Sequence, residues 1–438
     1  MNNCLADALL HRSREECLFV TTRRSLTVGE ILDLVTAWRT QCRDLQGKRV
    51  RVTGKSNEDL VLALLFLDGF ASSIILGEGP SDSLIHACDG ALVSGDLVLR
   101  WNVPNDTSEG NLESDQVSTS WMVPTSGTLG TPKCIAHDFG SLSASTKTSD
   151  KKGHDLVWGL VYEVHRFAGL QVLFQAVLGG SCLAIPNQLK DLEAVTAHFK
   201  GAEVNALSAT PSTWRRLSMG GALDDLALRV ATLGGEPADD QILAELQSRF
   251  PKAKLTHIYA STEWGVGFSV SDGQAGFPAS YLCEGAPNGM QMRISEKGHL
   301  EMRKAPSNPW ADTGDLVESK EDRVLFRGRA DGMINVGGVK VSPESVERVI
   351  LAIPGVAMAM AVPRASSMIG QVIEALVVPQ ISDDQEFGDL HETVIAACHR
   401  HLEPAEVPAI VRLVKELPMT GAGKVDRRSP RQSSAKEA

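Results

Sequence analysis

Five short segments of the 438-residue chain combine residue types and spacings suited to chemistry on a polyphosphate. The first is Thr125-Ser126-Gly127-Thr128-Leu129-Gly130-Thr131-Pro132-Lys133, between the apolar runs Trp121 to Val123 and Cys134 to Ala136. A loop so rich in Gly, Ser and Thr presents backbone N–H groups and hydroxyls to phosphate oxygens, and Lys133 adds positive charge. The G-x-x-x-x-G-K-[ST] pattern is absent, which disfavours a P-loop kinase or phosphatase. Tyr259-Ala260-Ser261-Thr262-Glu263 ends a strand pattern and brings a carboxylate to a loop mouth, where Mg²⁺ can bind. Trp310 to Asp315 (WADTGD) places Asp315 after a tight turn, suited to accepting two ribose hydroxyls. Gly328 to Lys340 (GRADGMINVGGVK) reads as a glycine-rich hinge followed by a turn. Pro418 to Lys424 (PMTGAGK) carries a lysine on a flexible loop. Taken singly, each of the last four is equally well explained as a turn, a surface ion pair or a solvated lysine.

The elements that must position these segments alternate. Thr27-x-x-Glu30 is a capping box ahead of the amphipathic run Ile31 to Cys42. Strands are expected at Val50 to Thr53, Ser73 to Leu76, Leu156 to Val161, Ser181 to Ile185, Val204 to Leu207, Val230 to Leu233 and Leu255 to Tyr259. Helices are expected at Glu58 to Leu67, Gly169 to Leu178, Leu189 to Phe199, Pro211 to Leu217 and Asp239 to Phe250. Strands separated by helices predict parallel α/β layers. After Phe268, short strands with Gly and Pro turns predict a small β-rich subdomain up to Phe326. Beyond the linker Gly328 to Gly332 follows a small α+β unit, with helices near Pro343 to Ile350 and Asp389 to His401. The fold class is therefore α/β: a large N-terminal domain of layered α/β subdomains plus a β-rich subdomain (1–329), a mobile small α+β C-terminal domain (330–426), and a disordered polar tail (427–438).

Composition narrows the function classes. The chain has 43 Lys and Arg against 54 Asp and Glu, a net charge of −11, which disfavours nucleic acid or an anionic membrane as partner. The most apolar stretch, Leu60 to Gly77, is broken by Asp68 and Gly69, so two buried elements explain it better than a membrane span. None of the eight cysteines lies in a C-x-x-C pair or a zinc spacing, and they read as reduced, mostly buried thiols. The N-terminus lacks a signal-peptide pattern, and a cytoplasmic protein, monomer or homodimer, is expected.

In this order and spacing the five segments resemble the adenylate-forming superfamily of acyl- and aryl-CoA synthetases, peptide-synthetase adenylation domains and beetle-type luciferases. Ala209-Thr210-Pro211-Ser212, Gly234-Gly235-Glu236-Pro237 and His165-Arg166-Phe167-Ala168-Gly169 are similar to three further landmarks of that family. The resemblance implies that a small carboxylic acid reacts with ATP to give acyl-AMP and pyrophosphate, with Mg²⁺ present, and that the acyl group then passes to a thiol. It implies that Thr125, Ser126, Gly127, Thr128, Gly130 and Lys133 cradle the β- and γ-phosphates. Gly235, Glu236, Pro237 and Tyr259 belong to the nucleotide site, with Tyr259 stacking near the adenine. The resemblance likewise implies that Thr262 contacts the α-phosphate and that Glu263 holds Mg²⁺. Asp315, helped by Arg329, binds the ribose, and Lys424 bridges the attacking carboxylate and the α-phosphate. Asp331 matches the family's hinge. After the small domain swings, Lys424 leaves and Gly337 and Gly338 face the active site, where bare backbone lets a pantetheine thiol approach.

The acid site is expected around His165, also counted among the catalytic groups, with Phe167, Gly169, Leu207 and Val266. The segment Glu163 to Gly169 lacks the Asp that peptide-synthetase domains use for an ammonium group, which fits an acyl or aryl acid better. The chain departs from the family pattern in a short region before the phosphate loop, in Cys134 after Lys133, and in Asn335 where CoA ligases often have Lys. The acceptor is expected to be CoA, with a carrier protein's phosphopantetheine arm as the alternative. A non-catalytic nucleotide-binding homologue and a light-emitting monooxygenase are the remoter readings.

Overall fold

The computed structural model describes residues 4–54, 56–77, 90–93, 117–125, 133–147, 155–221, 223–380, 387–421 and 423–427. The chain forms two compact units. One comprises Met1–Ser208, Ala222–Ala231 and Ala260–Val266; the other comprises Ala209–Gly221, Thr232–Tyr259 and Gly267–Ala438. The domain boundary expected at Arg329 and Ala330 thus falls inside the second unit.

Two sheets build the first unit. One has the order Gly90–Val93, Arg49–Thr53, Ser73–Leu76, Ser120–Pro124, Cys134–His137, parallel except for the last pair. The phosphate loop is therefore the connection of an antiparallel pair. The other sheet has Ala206–Ala209, Val157–Leu160, Cys182–Ile185 and Cys17–Thr21 as parallel neighbours, with Ser25–Thr27 antiparallel at the edge. Parallel strands buried on both faces need helices as cover. The helix Asn57–Leu67 is apolar on every side and buried almost throughout, consistent with that position. Thr27 and Glu30 form the expected capping box, each side chain meeting the other's backbone N–H, and open the helix Val28–Gln41. Phe19, Phe66, Trp121 and Phe174 are fully buried in one continuous core.

The second unit contains an antiparallel sheet of order Phe277–Pro278, Arg323–Arg329, Ala311–Lys320, His299–Arg303, Gln291–Ile294, which is the expected β-rich part. It also contains a sheet of Val356–Ser366, Gly370–Pro379 and Ile410–Leu413, packed with the helices Pro343–Leu351 and Phe387–His401. Between them lies the hairpin Ile334–Val336 and Val339–Val341. Gly337 and Gly338 form its two-residue turn with φ of +57° and +93°, a conformation that two successive glycines adopt without strain.

Several element boundaries differ from expectation. The helix expected from Leu189 begins at Leu192, because Asp191 accepts the Ala194 N–H and caps it. The strand expected at Val204 to Leu207 runs from Ala206 to Ala209. The pair Cys17–Thr21 and Ser25–Thr27 was not signalled by periodicity, the strands being short and the flanking sequence charged. Arg427, expected to open the tail, is held in place. That side chain reaches Glu344 (3.2 Å) and Glu347 (2.6 Å) on the helix Pro343–Leu351. Burial works against its charge, but the two carboxylates outweigh burial and hold it protonated. Residues 428–438 lie outside the described ones. Among the described residues no helix is long and apolar enough to cross a membrane.

Asp68, fully buried at the end of the helix Asn57–Leu67, ties three elements together. It accepts the Leu5 N–H (2.7 Å) and the Trp121 indole N–H (3.2 Å). Burial pushes its carboxyl up to about 7, against the lowering effect of those hydrogen bonds. The folded-state value lies above the unfolded one, so the folded protein holds a proton that the unfolded chain releases. Asp68 therefore contributes its full stability below about pH 4 and loses it as pH rises through about 7, at up to about 1.4 kcal/mol per pH unit. Asp68→Asn should flatten the fall in melting temperature between pH 5.5 and 8. Parallel melting curves for the two proteins across that range would rule this assignment out.

Candidate active site

The lysine near the end of the chain is positioned by loops from three parts of the second unit. Thr210 caps the helix Pro211–Met219 and accepts the Thr213 N–H (3.0 Å). The hydroxyls of Thr210 and Thr213 both reach the Gly423 carbonyl, the latter at 3.0 Å. Gly423 has a φ of +71°, and a Cβ there would lie 2.6 Å from Thr213 Oγ1, so only glycine fits. Glu236 accepts the N–H groups of Ser212 (3.0 Å) and Val425 (3.3 Å), linking the Gly235-Glu236 turn to the lysine loop. Thr420 closes that loop by donating its N–H to the Lys424 carbonyl (2.7 Å) and accepting the Lys424 N–H on its hydroxyl (3.2 Å). Lys424 then lies against Gly235, where an added Cβ would stand 3.1 Å from Lys424 Cε and 3.7 Å from Nζ. Burial lowers the pKa of Lys424, with Arg329 adding to the effect; Glu236 and Asp315 oppose it. Pro237 is exposed beside this turn.

Asp315 lies within the long strand Ala311–Lys320, directly opposite Arg329, and not after a tight turn. The Tyr259 hydroxyl donates to Asp315 Oδ2 (2.5 Å), and Arg329 Nη1 is 3.5 Å from Oδ1. Burial raises the Asp315 carboxyl, while the Tyr259 hydrogen bond and Arg329 pull it back. Burial, then the charge on Asp315, raises the Tyr259 phenol, so it remains a donor. The Tyr259 ring packs nearly parallel to Phe268 (5.1 Å between centroids) and Phe326 (5.2 Å). Arg329 also holds Asp331 through two contacts of 3.0 and 3.2 Å, and gives Nη1–H to the Thr313 carbonyl (3.1 Å). The carboxylate read as the ribose ligand and the one read as the hinge therefore share one guanidinium. Gly337 and Gly338 are exposed in their hairpin. There the Asn335 side-chain Oδ1 accepts the Gly338 N–H (3.0 Å), so Asn335 braces the turn.

In the first unit, the stem of the phosphate loop is closed by Thr125 N–H to the Lys133 carbonyl (2.7 Å) and Lys133 N–H to Thr125 Oγ1 (3.2 Å). Lys133 is exposed. Ser126, Gly127, Thr128 and Gly130 lie outside the described residues. Thr262 and Glu263 follow the strand Lys254–Ser261. The Glu263 carboxylate is exposed, which suits it to a hydrated divalent cation. His137, which the sequence reading missed, is the post for this segment. Its Nε2 is 2.8 Å from the Thr262 carbonyl, Nδ1 is 3.2 Å from Ser141 Oγ, and the ring packs on Phe167 at 5.5 Å. Its position just past the glycine-rich loop was the available signal.

The expected acid site needs correction. Leu207 is fully buried, and the space at Gly159 is filled by Leu207 and Phe199, so Leu207 is a core residue here. Gly169 is glycine because a Cβ would fall 2.4 Å from the Glu163 carbonyl oxygen: the helix Phe167–Leu178 rides on its own leading turn. His165 is half-buried with Nε2 3.3 Å from Glu163, and Arg166 approaches the same oxygen at 3.6 Å. Phe167 faces His137, and Val266 is half-buried. Among the described residues no group of three or more His, Cys, Asp or Glu forms a metal cluster.

The second unit thus holds a lysine on a braced loop and a half-buried carboxylate paired to an arginine, and the first unit holds the closed stem of a glycine-rich segment between two antiparallel strands. Residues 76–306 match the AMP-binding enzyme family and residues 345–424 match the AMP-binding enzyme C-terminal domain. The chain belongs to that family and is an ATP-dependent, AMP-forming ligase of the acyl-CoA synthetase type. It is 29% identical over 330 residues to a probable 2-succinylbenzoate–CoA ligase of Mycobacterium tuberculosis, covering 70% of this chain and 82% of that protein. A medium/long-chain-fatty-acid–[acyl-carrier-protein] ligase FadD10 of the same organism is 33% identical over 122 residues, 27% of this chain and 23% of that one. The fold matches a benzoate CoA ligase from Burkholderia xenovorans with a TM-score of 0.76, at 18% identity over 98% of this chain and 99% of that one.

Gly235→Ala should push Lys424 aside at a position that also needs positive φ (+83°). A displacement of that size is expected to slow acyl-adenylate formation about a hundredfold. Pyrophosphate-release rates measured alongside melting curves check this: an unchanged rate in a stably folded variant would show that Lys424 does not need the bare glycine.

Proposed function

We propose that this ligase activates a non-amino-acid carboxylic acid, acyl or aryl, as its acyl-AMP and passes the acyl group to the thiol of CoA. The observation that carries the adenylation step is Lys424, partly desolvated against Gly235 and near Asp315, in a posture suited to charge developing at an α-phosphate. Glu263 would hold Mg²⁺, which neutralises phosphate charge. Thr262, with its carbonyl tied to His137, would present its hydroxyl to the α-phosphate. Asp315 would bind the ribose with Arg329, and Thr125 and Lys133 would flank the β- and γ-phosphates.

The choice against amino acids rests on Glu163. It is the acidic side chain nearest the expected acid site in sequence, and its carboxylate is already engaged by His165 and Arg166. An incoming ammonium group would have to displace both. The family relatives that act on CoA support CoA as acceptor. The FadD10 similarity and Asn335 in place of lysine favour a carrier-protein arm as the second reading. For the thiol step the small domain would turn about Asp331, withdrawing Lys424 and bringing Gly337 and Gly338 to the thiol.

Carboxylate-dependent ATP–pyrophosphate exchange, screened without thiol over fatty acids, benzoates, cinnamates and the amino acids, tests the substrate class. Exchange with one class of acyl or aryl acid is expected; exchange confined to amino acids would overturn it. Addition of CoA or a carrier protein to the preformed adenylate then separates the two acceptors. Lys424→Ala should lower exchange by about a hundredfold or more and leave thioester formation from supplied acyl-AMP largely intact. Equal loss of both steps would contradict the swing about Asp331.

A further inference from the structure

Two cysteines 165 positions apart meet in the first unit, where the Cys17 and Cys182 sulfurs are 3.6 Å apart. They sit at the start of neighbouring parallel strands, Cys17–Thr21 and Cys182–Ile185, in a register that sets Phe19 opposite Leu183 and Thr21 opposite Ile185. Leu18, not Cys17, would fall opposite Cys182 if that register continued. An irregularity between Cys17 and Phe19 in the pairing with Ser25–Thr27 shifts the chain there, and the two thiols come into contact. Both are half-buried, and among the described cysteines theirs is the pair whose sulfurs touch.

We infer that Cys17 and Cys182 are a redox-sensitive dithiol that closes to a disulfide when the protein meets hydrogen peroxide. The surroundings favour Cys17 as the attacking sulfur. The hydrogen bond with Cys182 pulls its thiol down to about 7, against burial, and Ser25 and the Arg12 guanidinium help while Glu16 opposes. Arg12 is itself fixed beside the pair, donating to the Ser181 (3.1 Å) and Val177 (3.2 Å) carbonyls and pairing with Glu16. Cys182 is shifted upward by the same hydrogen bond and by burial, so it keeps its proton while Cys17 attacks. Burial raises Cys4 to about 12 and Cys398 to about 11, and also raises Cys42 and Cys134.

The chemistry balances with the peroxide as oxidant. The Cys17 thiolate attacks one peroxide oxygen, the O–O bond breaks, and a sulfenic acid forms with release of water after proton transfer. The Cys182 sulfur then attacks the sulfenic sulfur, the S–O bond breaks, and a second water leaves. Two thiols are oxidised by two electrons and one peroxide is reduced to two waters. The sulfurs must close by roughly 1.5 Å to reach bonding distance, within the reach of side-chain rotation at a strand end.

The test uses the full chain, reduced, freed of reductant and treated with equimolar hydrogen peroxide. Mass analysis of a non-reducing digest should find the Cys17 peptide joined to the Cys182 peptide, with two of the eight thiols lost. The oxidised protein should melt a few degrees higher than the reduced one, and a dithiol should reverse the gain. Cys17→Ser should abolish both the cross-link and the melting shift while Cys182 stays a thiol. Persistence of both thiols, or conversion of Cys17 to a sulfinic acid with no linked peptide, would overturn the inference. The wild-type digest decides the matter even where a variant folds poorly.

Discussion

A lysine ammonium taken partly out of water sets the constraint that the second unit satisfies. An isolated buried cation is costly, and the cost falls only if opposite charge and a defined path for the chain come with it. Glu236 and Asp315 supply the charge. The path is fixed by contacts that fasten the backbone on either side of Lys424 and leave its ammonium uncommitted: two threonine hydroxyls on the Gly423 carbonyl and a carboxylate on the Val425 N–H. The glycines at 235 and 423 follow from this, because at each position a side chain would occupy the space that the lysine loop needs.

Arg329 carries a comparable burden. Its guanidinium spans Asp315, Asp331 and the Thr313 carbonyl, and Gly314 is bare where the guanidinium crosses it. The Asp315 carboxylate is shared between Tyr259 and Arg329, and of these two Arg329 also reaches Asp331. The postures of Asp315 and of the residue read as the hinge thus draw on a single set of five N–H donors.

The sequence was most readable where one chemical role is fixed by adjacent residues. The loop at Lys424 and the segments at Asp315 and Thr262-Glu263 could be singled out because the neighbours that shape their backbone are contiguous. The capping box at Thr27 and the buried helix Asn57–Leu67 were equally legible, since caps and apolar runs are local. What escaped were partnerships across long separations. His137 meets Thr262 from 125 positions away, and Arg427 meets Glu347 from 80. No periodicity records such meetings. Leu207 failed for a related reason: an apolar residue in a central strand faces either a pocket or a covering helix, and only the packing of Phe199 decides which.

The bond between Thr210 and the Gly423 carbonyl spans 213 positions, and this bears on how the protein is made. Closing so long a loop carries an entropic cost that local helices and hairpins do not, so such contacts form late in folding. During synthesis the strands and helices around Thr210 leave the ribosome long before Gly423 does. The first unit likewise waits for residues 260–266 to arrive. A nascent chain can thus acquire much of its secondary structure while its lysine loop is still being translated, and the clasp on Glu236 closes only once the sequence through Val425 is present.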